Sequence, residues 1–144
     1  MDSRVRSFHM AEVAEPTRAD REAIAAPLRS YNLSRVPSLD IQPLVLALRN
    51  EVGETVGGLW GETALDWLHI DLLAVPESMR GQDVGSALLF RAEDIARSRG
   101  CVGAWLDTFA FQARGFYEKL GYRLFGEISD HPLGSARYFL HKRF

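Results

Sequence analysis

The stretch that most limits how this chain can fold runs from Leu68 to Gly100, where an apolar, strand-like run gives way across one short loop to a helix. The run Leu68-His69-Ile70-Asp71-Leu72-Leu73-Ala74-Val75 ends at Pro76. From Val84 to Arg99, apolar Val84, Leu88, Ala92 and Ile95 recur at helical spacing, and Gly100 follows as the C-cap signal. Between them lies Arg80-Gly81-Gln82-Asp83-Val84-Gly85-Ser86. A glycine-bearing turn that opens a helix aims several free backbone N–H groups at one point, with the helix dipole behind them. Such a point suits an anionic phosphate, and glycine lets phosphate oxygens approach the backbone closely. Many helices also begin after glycine and bind nothing, so alone the segment is equally a plain helix start.

The flanking segments set the layout. Thr17 to Arg35 reads as a helix capped by Thr17 or Asp20, with Ile24, Leu28 and Tyr31 as its stripe and Pro37 beyond its end. Pro27 predicts a kink or two shorter helices. Ile41 to Arg49, Thr55 to Trp60 and Leu65 to Val75 read as three strands, with turns at Asn50 to Glu54 and Gly61 to Ala64, which predicts an antiparallel meander. Cys101 to Phe109 is a further strand, Gln112 to Leu120 a short helix ended by Gly121, and Tyr122 to Ile128 and Ala136 to His141 the last two strands. With an optional strand ahead of the first helix, the order is a mixed α/β or α+β layer fold.

Composition bounds the function classes. At 144 residues the chain is about one domain, expected to span 1–144, and it can bury roughly 70 per cent of its unfolded surface. Forty-seven per cent hydrophobic against 25 per cent charged residues excludes disorder as the main state. A single cysteine excludes an internal disulfide framework, and Cys101 reads as a small core residue. No apolar run is long enough to span a membrane, the N-terminus has no signal-peptide core, and the expected compartment is cytoplasmic. A net charge of −2 argues against nucleic acid as a partner. Four scattered histidines without a helical i, i+4 pair suggest no metal site, and no serine lies in a nucleophile elbow.

The glycine loop is followed at a suitable distance by Phe116-Tyr117-Glu118-Lys119-Leu120-Gly121-Tyr122. Together with the strand, loop and helix, these residues resemble the GNAT superfamily of acyl-CoA-dependent N-acetyltransferases, most strongly from Leu68 to Tyr122. The signature Arg/Gln-x-x-Gly-x-Gly/Ala is met by Arg80 and Gly85, with Val84 and the extra Gly81 also in keeping. Asp83 stands where the family usually has its first motif glycine, its side chain facing solvent or capping the helix. Ala110 stands where relatives often carry Asn. The resemblance implies a central, mostly antiparallel twisted sheet of about 6–7 strands flanked by helices and splayed between the fourth and fifth strands. It further implies acetyl-CoA as co-substrate, a small-molecule or peptide amine as acceptor, and direct transfer; a homodimer is left open. Leu73, Ala74 and Val75 would bond the pantetheine arm through their backbone, as an added strand would. The N–H groups of Gln82, Asp83, Val84, Gly85 and Ser86, with Arg80 and Gly81, would cradle the pyrophosphate, and Ala113 and Phe116 would flank the cofactor.

Direct transfer from a thioester to an amine needs a base, a stabilised oxyanion and a proton for the departing thiolate. Tyr117 occupies the position where the family places the thiolate-protonating tyrosine; packing beside Phe116 is the plainer role. His69 and Asp71 share a strand face by the period of two, and either suits the base, Asp71 being nearer the expected thioester. A buried polar pair is the plainer role here. Asp107 and Thr108 end the next strand and, with loop residue His131, are substrate-contact candidates; turn residues and a solvated histidine are the alternatives. Trp60, Trp67 and Trp105 read as core or pocket wall, and the charged residues from Arg91 to Arg99 as a solvated helix face. Two other functions remain open: a silent acyl-CoA-binding sensor of the same fold, and an unrelated α+β ligand-binding domain.

Overall fold

The computed structural model describes residues 7–144, in two compact units, the first ending at Ser38 and the second spanning Leu39–Phe144. In the first unit, α1 (Arg18–Arg35) starts at a complete capping box, in which the Thr17 hydroxyl accepts from the Asp20 N–H and the Asp20 carboxylate accepts from the Thr17 N–H. Both proposed cap residues therefore act, in reciprocal roles. Pro27 lies inside one assigned helix rather than dividing it in two. Among the described residues no strand precedes α1, so the optional opening strand is absent there.

The second unit holds β1 (Gln42–Arg49), β2 (Thr55–Ala64), β3 (Trp67–Ala74), α2 (Val84–Ser98), β4 (Gly103–Phe109), α3 (Arg114–Lys119), β5 (Arg123–Ser129) and β6 (Ala136–Arg143). These make one six-stranded sheet in the order β1-β2-β3-β4-β6-β5. Every neighbouring pair is antiparallel except β3 and β4, which α2 connects as a crossover. The expected turn at Gly61 to Ala64 is corrected: β2 continues through those residues and reverses at Leu65 and Asp66. Both have positive φ, 50° and 71°, the conformation that matches a two-residue turn to strand twist. Asp66 tolerates this conformation but Leu65 rarely adopts it, so the turn signal was weaker than that of the glycines at 57, 58 and 61.

The core forms where α2 lies on one face of the sheet. Leu44, Leu59, Leu68, Ile70, Leu106 and Leu140 come from alternate strand positions and meet Leu89, Ala92 and Ala96 of the helix. Ala92, Ala96 and Ala104 are wholly buried, and their small side chains let helix and strands approach closely. The charged residues of α2 do not all face water, contrary to the reading of Arg91 to Arg99 as a solvated face. Glu93 is 1 % exposed. Its carboxylate accepts from the Tyr122 hydroxyl at 2.8 Å and from Lys142 Nζ at 2.9 Å. A buried charge demands such partners, and this trio ties α2 to β6 and to the residue before β5. Arg99, at the helix end, donates to the Pro43 carbonyl and the Thr63 hydroxyl, fastening α2 to β1 and β2. No helix among the described residues is long and apolar enough to cross a membrane.

Candidate active site

The sheet opens at its one parallel junction. β3 and β4 pair only from Trp67–Ile70 to Gly103–Leu106. Beyond Ile70, β3 stays paired with β2 through Ala74, and β4 stays paired with β6 through Phe109. The two strands therefore part, and the backbone of Leu73 and Ala74 has an open edge towards β4. A bulge accompanies the parting: Gly61 pairs with Ile70 but Trp60 pairs with Leu72, so Asp71 has no opposite residue. Strict alternation fails there. Leu68 and Ile70 point into the core, Asp71 and Leu72 are both exposed, and Leu73 packs inward again.

The loop after β3 leads to the N-terminus of α2. Glu77–Met79 form a single 3-10 turn, and Arg80 Nε donates back to the Val75 carbonyl at 3.4 Å. Gly81 has φ 79° with open space where a side chain would stand. Gln82 is exposed. Asp83 holds φ 58° and ψ 25°, and its carboxylate makes no cap bond, so it does not cap the helix. The helical ladder begins with the Ala87 N–H donating to the Asp83 carbonyl at 3.0 Å, which leaves the N–H groups of Val84, Gly85 and Ser86 ahead of it. A cavity of about 430 Å³ lies there, lined by Val75, Arg80, Gly81, Asp83, Val84, Gly85, Ser86, Phe116 and Lys119 among others. A Cβ on Gly85 would sit 3.2 Å from the Phe116 ring and 3.7 Å from Val75, so glycine lets strand, helix and α3 converge.

Ala113 is the residue before α3, which presents Phe116 and Tyr117. The Tyr117 ring stands edge-on to Phe116 and to Tyr122, with centroids 5.1 and 6.1 Å apart. Burial, and then the negative charge of Asp107, push its phenol above the ordinary value of 10.0, so the phenol keeps its proton.

The other strand-end residues are already engaged. Asp107 Oδ1 accepts from Arg137 Nη2 at 2.7 Å and Nε at 2.8 Å. Arg137 stacks over Phe109 and approaches His131 Nε2 at 3.4 Å, while the His131 ring meets the edge of Phe109. Thr108 is buried, with its hydroxyl on the Gln112 side-chain oxygen. Asp107 and His131 thus meet around Arg137, and Thr108 turns to the core.

On the sheet face opposite α2, a second cavity of about 440 Å³ is lined by Ile41, Pro43, Trp60, Gly61, Glu62, His69 and Asp71. It brings His69 and Asp71 together. The His69 ring stacks on Trp105, 3.9 Å between centroids and 14° from parallel, and its Nε2 is buried without a hydrogen-bond partner. Glu62 faces His69 directly across the β2–β3 ladder. The sequence reading missed Glu62, because it fell in the misplaced turn; only the register of this hairpin brings it to the site.

The family model for the Acetyltransferase (GNAT) family matches residues 9–122. The chain belongs to the GNAT family of acetyltransferases. An acetyltransferase of Agrobacterium fabrum is 41 % identical over 139 residues, covering 96 % of this chain and 99 % of the relative. A blasticidin-S acetyltransferase of Streptomyces morookaense is 43 % identical over 114 residues, covering 76 % of this chain and 84 % of the relative. The crystal structure of an acetyltransferase from Bacillus cereus superposes with a TM-score of 0.81 at 38 % identity, covering 95 % of this chain and 100 % of that one. The six-stranded mixed sheet is that of a GNAT acetyltransferase. Its parting falls between the third and fourth strands of the described residues, the fourth and fifth only if an opening strand is counted.

Proposed function

We propose that this acetyltransferase acts as a single domain that moves an acetyl group from acetyl-CoA to an amine by direct transfer. The observation that carries this reading is the parting of β3 and β4 beside the free N-terminus of α2, where Phe116, the neighbour of Tyr117 on α3, packs at Gly85. The exposed backbone edge of Leu73, Ala74 and Val75 suits the amide-bearing pantetheine arm. The N–H groups from Gln82 to Ser86, the open space at Gly81 and the cations of Arg80 and Lys119 suit a pyrophosphate. Ala113 and Phe116 flank that arm.

Asp71 holds the incoming ammonium and takes its proton, because it is exposed on the bulge whereas His69 Nε2 is sealed against the sheet. His69 is the alternative base and otherwise the wall behind the amine. The amine nitrogen then bonds to the thioester carbon, the carbon–sulfur bond breaks, and the Tyr117 phenol gives its proton to the thiolate. Amide and free thiol result once the nitrogen gives its second proton to the Tyr117 phenolate, and the proton on Asp71 passes to solvent. The relative named for blasticidin S makes that compound the first to try as acceptor.

Calorimetric titration with acetyl-CoA tests the reading. Micromolar binding is expected, and acetyl-CoA at about 100 times its dissociation constant should add roughly 2.7 kcal/mol to stability. Absence of binding at millimolar cofactor would overturn it. Binding without acetylation of any amine would favour a silent acyl-CoA sensor.

Asp83 gives a second expected result. Its carboxylate opposes a pyrophosphate, and its left-handed backbone suits glycine better. Asp83→Gly should tighten CoA binding about fivefold, as expected from removing about 1 kcal/mol of repulsion. Unchanged affinity would place the carboxylate in water, away from the phosphates.

A further inference from the structure

Resting on that reading, we infer that Glu62 sets acceptor specificity: it binds a second cationic group, so the preferred acceptor is a diamine or another amine with two positive charges. The cavity that holds Asp71 is walled by Ile41, Pro43 and the Trp60 indole, and its charged lining is two carboxylates with no lysine or arginine. Among the described residues neither Glu62 nor Asp71 forms an ion pair, whereas Asp107 is neutralised by Arg137 and the Asp130 carboxylate accepts the Gly134 N–H of its own loop. Of the acids near the parted strands, these two are therefore the pair open to a ligand.

One carboxylate is enough for the ammonium that reacts. A second, on the neighbouring strand and on the same wall, leaves two like charges facing one cavity, which a dication relieves and a monocation only half relieves. Glu62 is opposite His69, and Asp71 stands two residues further along β3 on the bulge, so the two carboxylates line one cavity from neighbouring strands. Carboxylates on neighbouring strands of one wall, spaced on the order of the 7–8 Å that separates diagonal neighbours in a regular sheet, suit the two nitrogens of a short diamine. Asp71 lies at the parting of the strands, so it takes the reacting end, and Glu62 takes the distant one. The Trp60 ring, 55 % exposed, offers the distant cation an aromatic face as well.

The test compares 1,4-diaminobutane, butylamine and 4-aminobutanoate as acceptors, with acetyl-CoA saturating. The wild-type protein should prefer the diamine over butylamine by at least tenfold in kcat/KM, mainly through KM, and should use 4-aminobutanoate least. Glu62→Gln should bring the diamine preference close to unity, and Glu62→Asp should keep part of it. Glu62 is exposed, so these variants should fold. Equal use of diamine and butylamine by the wild type, or a preference untouched by Glu62→Gln, overturns the inference. A second measurement needs no turnover: calorimetry of 1,4-diaminobutane with CoA-saturated protein should show binding weakened about tenfold by Glu62→Gln. No binding, or equal binding by the variant, also overturns it. Failure of the underlying reading is separately visible, as absence of acetyl-CoA binding, and the diamine titration of the protein alone then decides the role of Glu62.

Discussion

Replacing Tyr117 by phenylalanine is expected to lower kcat about 100-fold while acetyl-CoA affinity stays within twofold, the loss typical of removing one general acid. The substitution keeps the ring that meets Phe116 and Tyr122, and the main-chain carbonyl of residue 117 still accepts from the N–H groups of Leu120 and Tyr122. Only the transferable proton is lost. The raised phenol value also predicts a pH signature. A group whose value lies above 10.0 stays protonated throughout an ordinary assay range, so wild-type kcat should show no decline from this group as pH rises to about 9. Steady-state rates with blasticidin S or 1,4-diaminobutane, beside calorimetry of cofactor binding, separate the two effects. An unchanged kcat removes Tyr117 from the acid role; a matching loss of cofactor affinity makes it a packing residue.

The largest effect on stability is expected at Glu93. Glu93→Ala removes the carboxylate that accepts from both Tyr122 and Lys142. It leaves an ammonium only 19 % exposed and a phenol at 2 % residue exposure. Breaking a buried pair in this way costs about 3–5 kcal/mol. Replacing both ends, Glu93→Leu with Lys142→Met, should recover part of that loss, because no uncompensated ammonium remains although the Tyr122 hydroxyl still lacks its acceptor. Urea denaturation with the slope held common measures both. A loss below about 1 kcal/mol for Glu93→Ala would show that water reaches Lys142 and that the trio is replaceable.

Much of the fold was legible because hydrophobic period and turn residues agree along most of the chain. The α2 stripe of Val84, Leu88, Ala92 and Ile95, the glycines at 100 and 121 and the capping pair Thr17 and Asp20 are local signals, and the structure places them as read. What escaped depends on contacts between strands. Leu65 and Asp66 reverse the chain with positive φ, which Asp tolerates but Leu rarely adopts, so β2 seemed to end early and Glu62 was lost with it. Glu93 looked like any charged residue in an amphipathic helix, because its partners Tyr122 and Lys142 are 29 and 49 residues away. For the candidate site, the motif residues from Arg80 to Ser86 and the pair His69 and Asp71 could be read from the sequence; all but Gln82 of the former line one cavity, and the pair lines another. The engagement of Asp107 by Arg137 could not, since it rests on the register of β4 against β6.

The short parallel ladder has a mechanical consequence. Four register pairs join β3 to β4, while the ladders on either side are longer. The sheet is thus two three-stranded blocks with a narrow weld between them, and slow breathing of the molecule should concentrate there. Anything that lies in the gap and bonds the free edge of β3 acts as a stitch across the weld. Amide hydrogen exchange would then slow in both blocks at once, including strands that the stitch never touches.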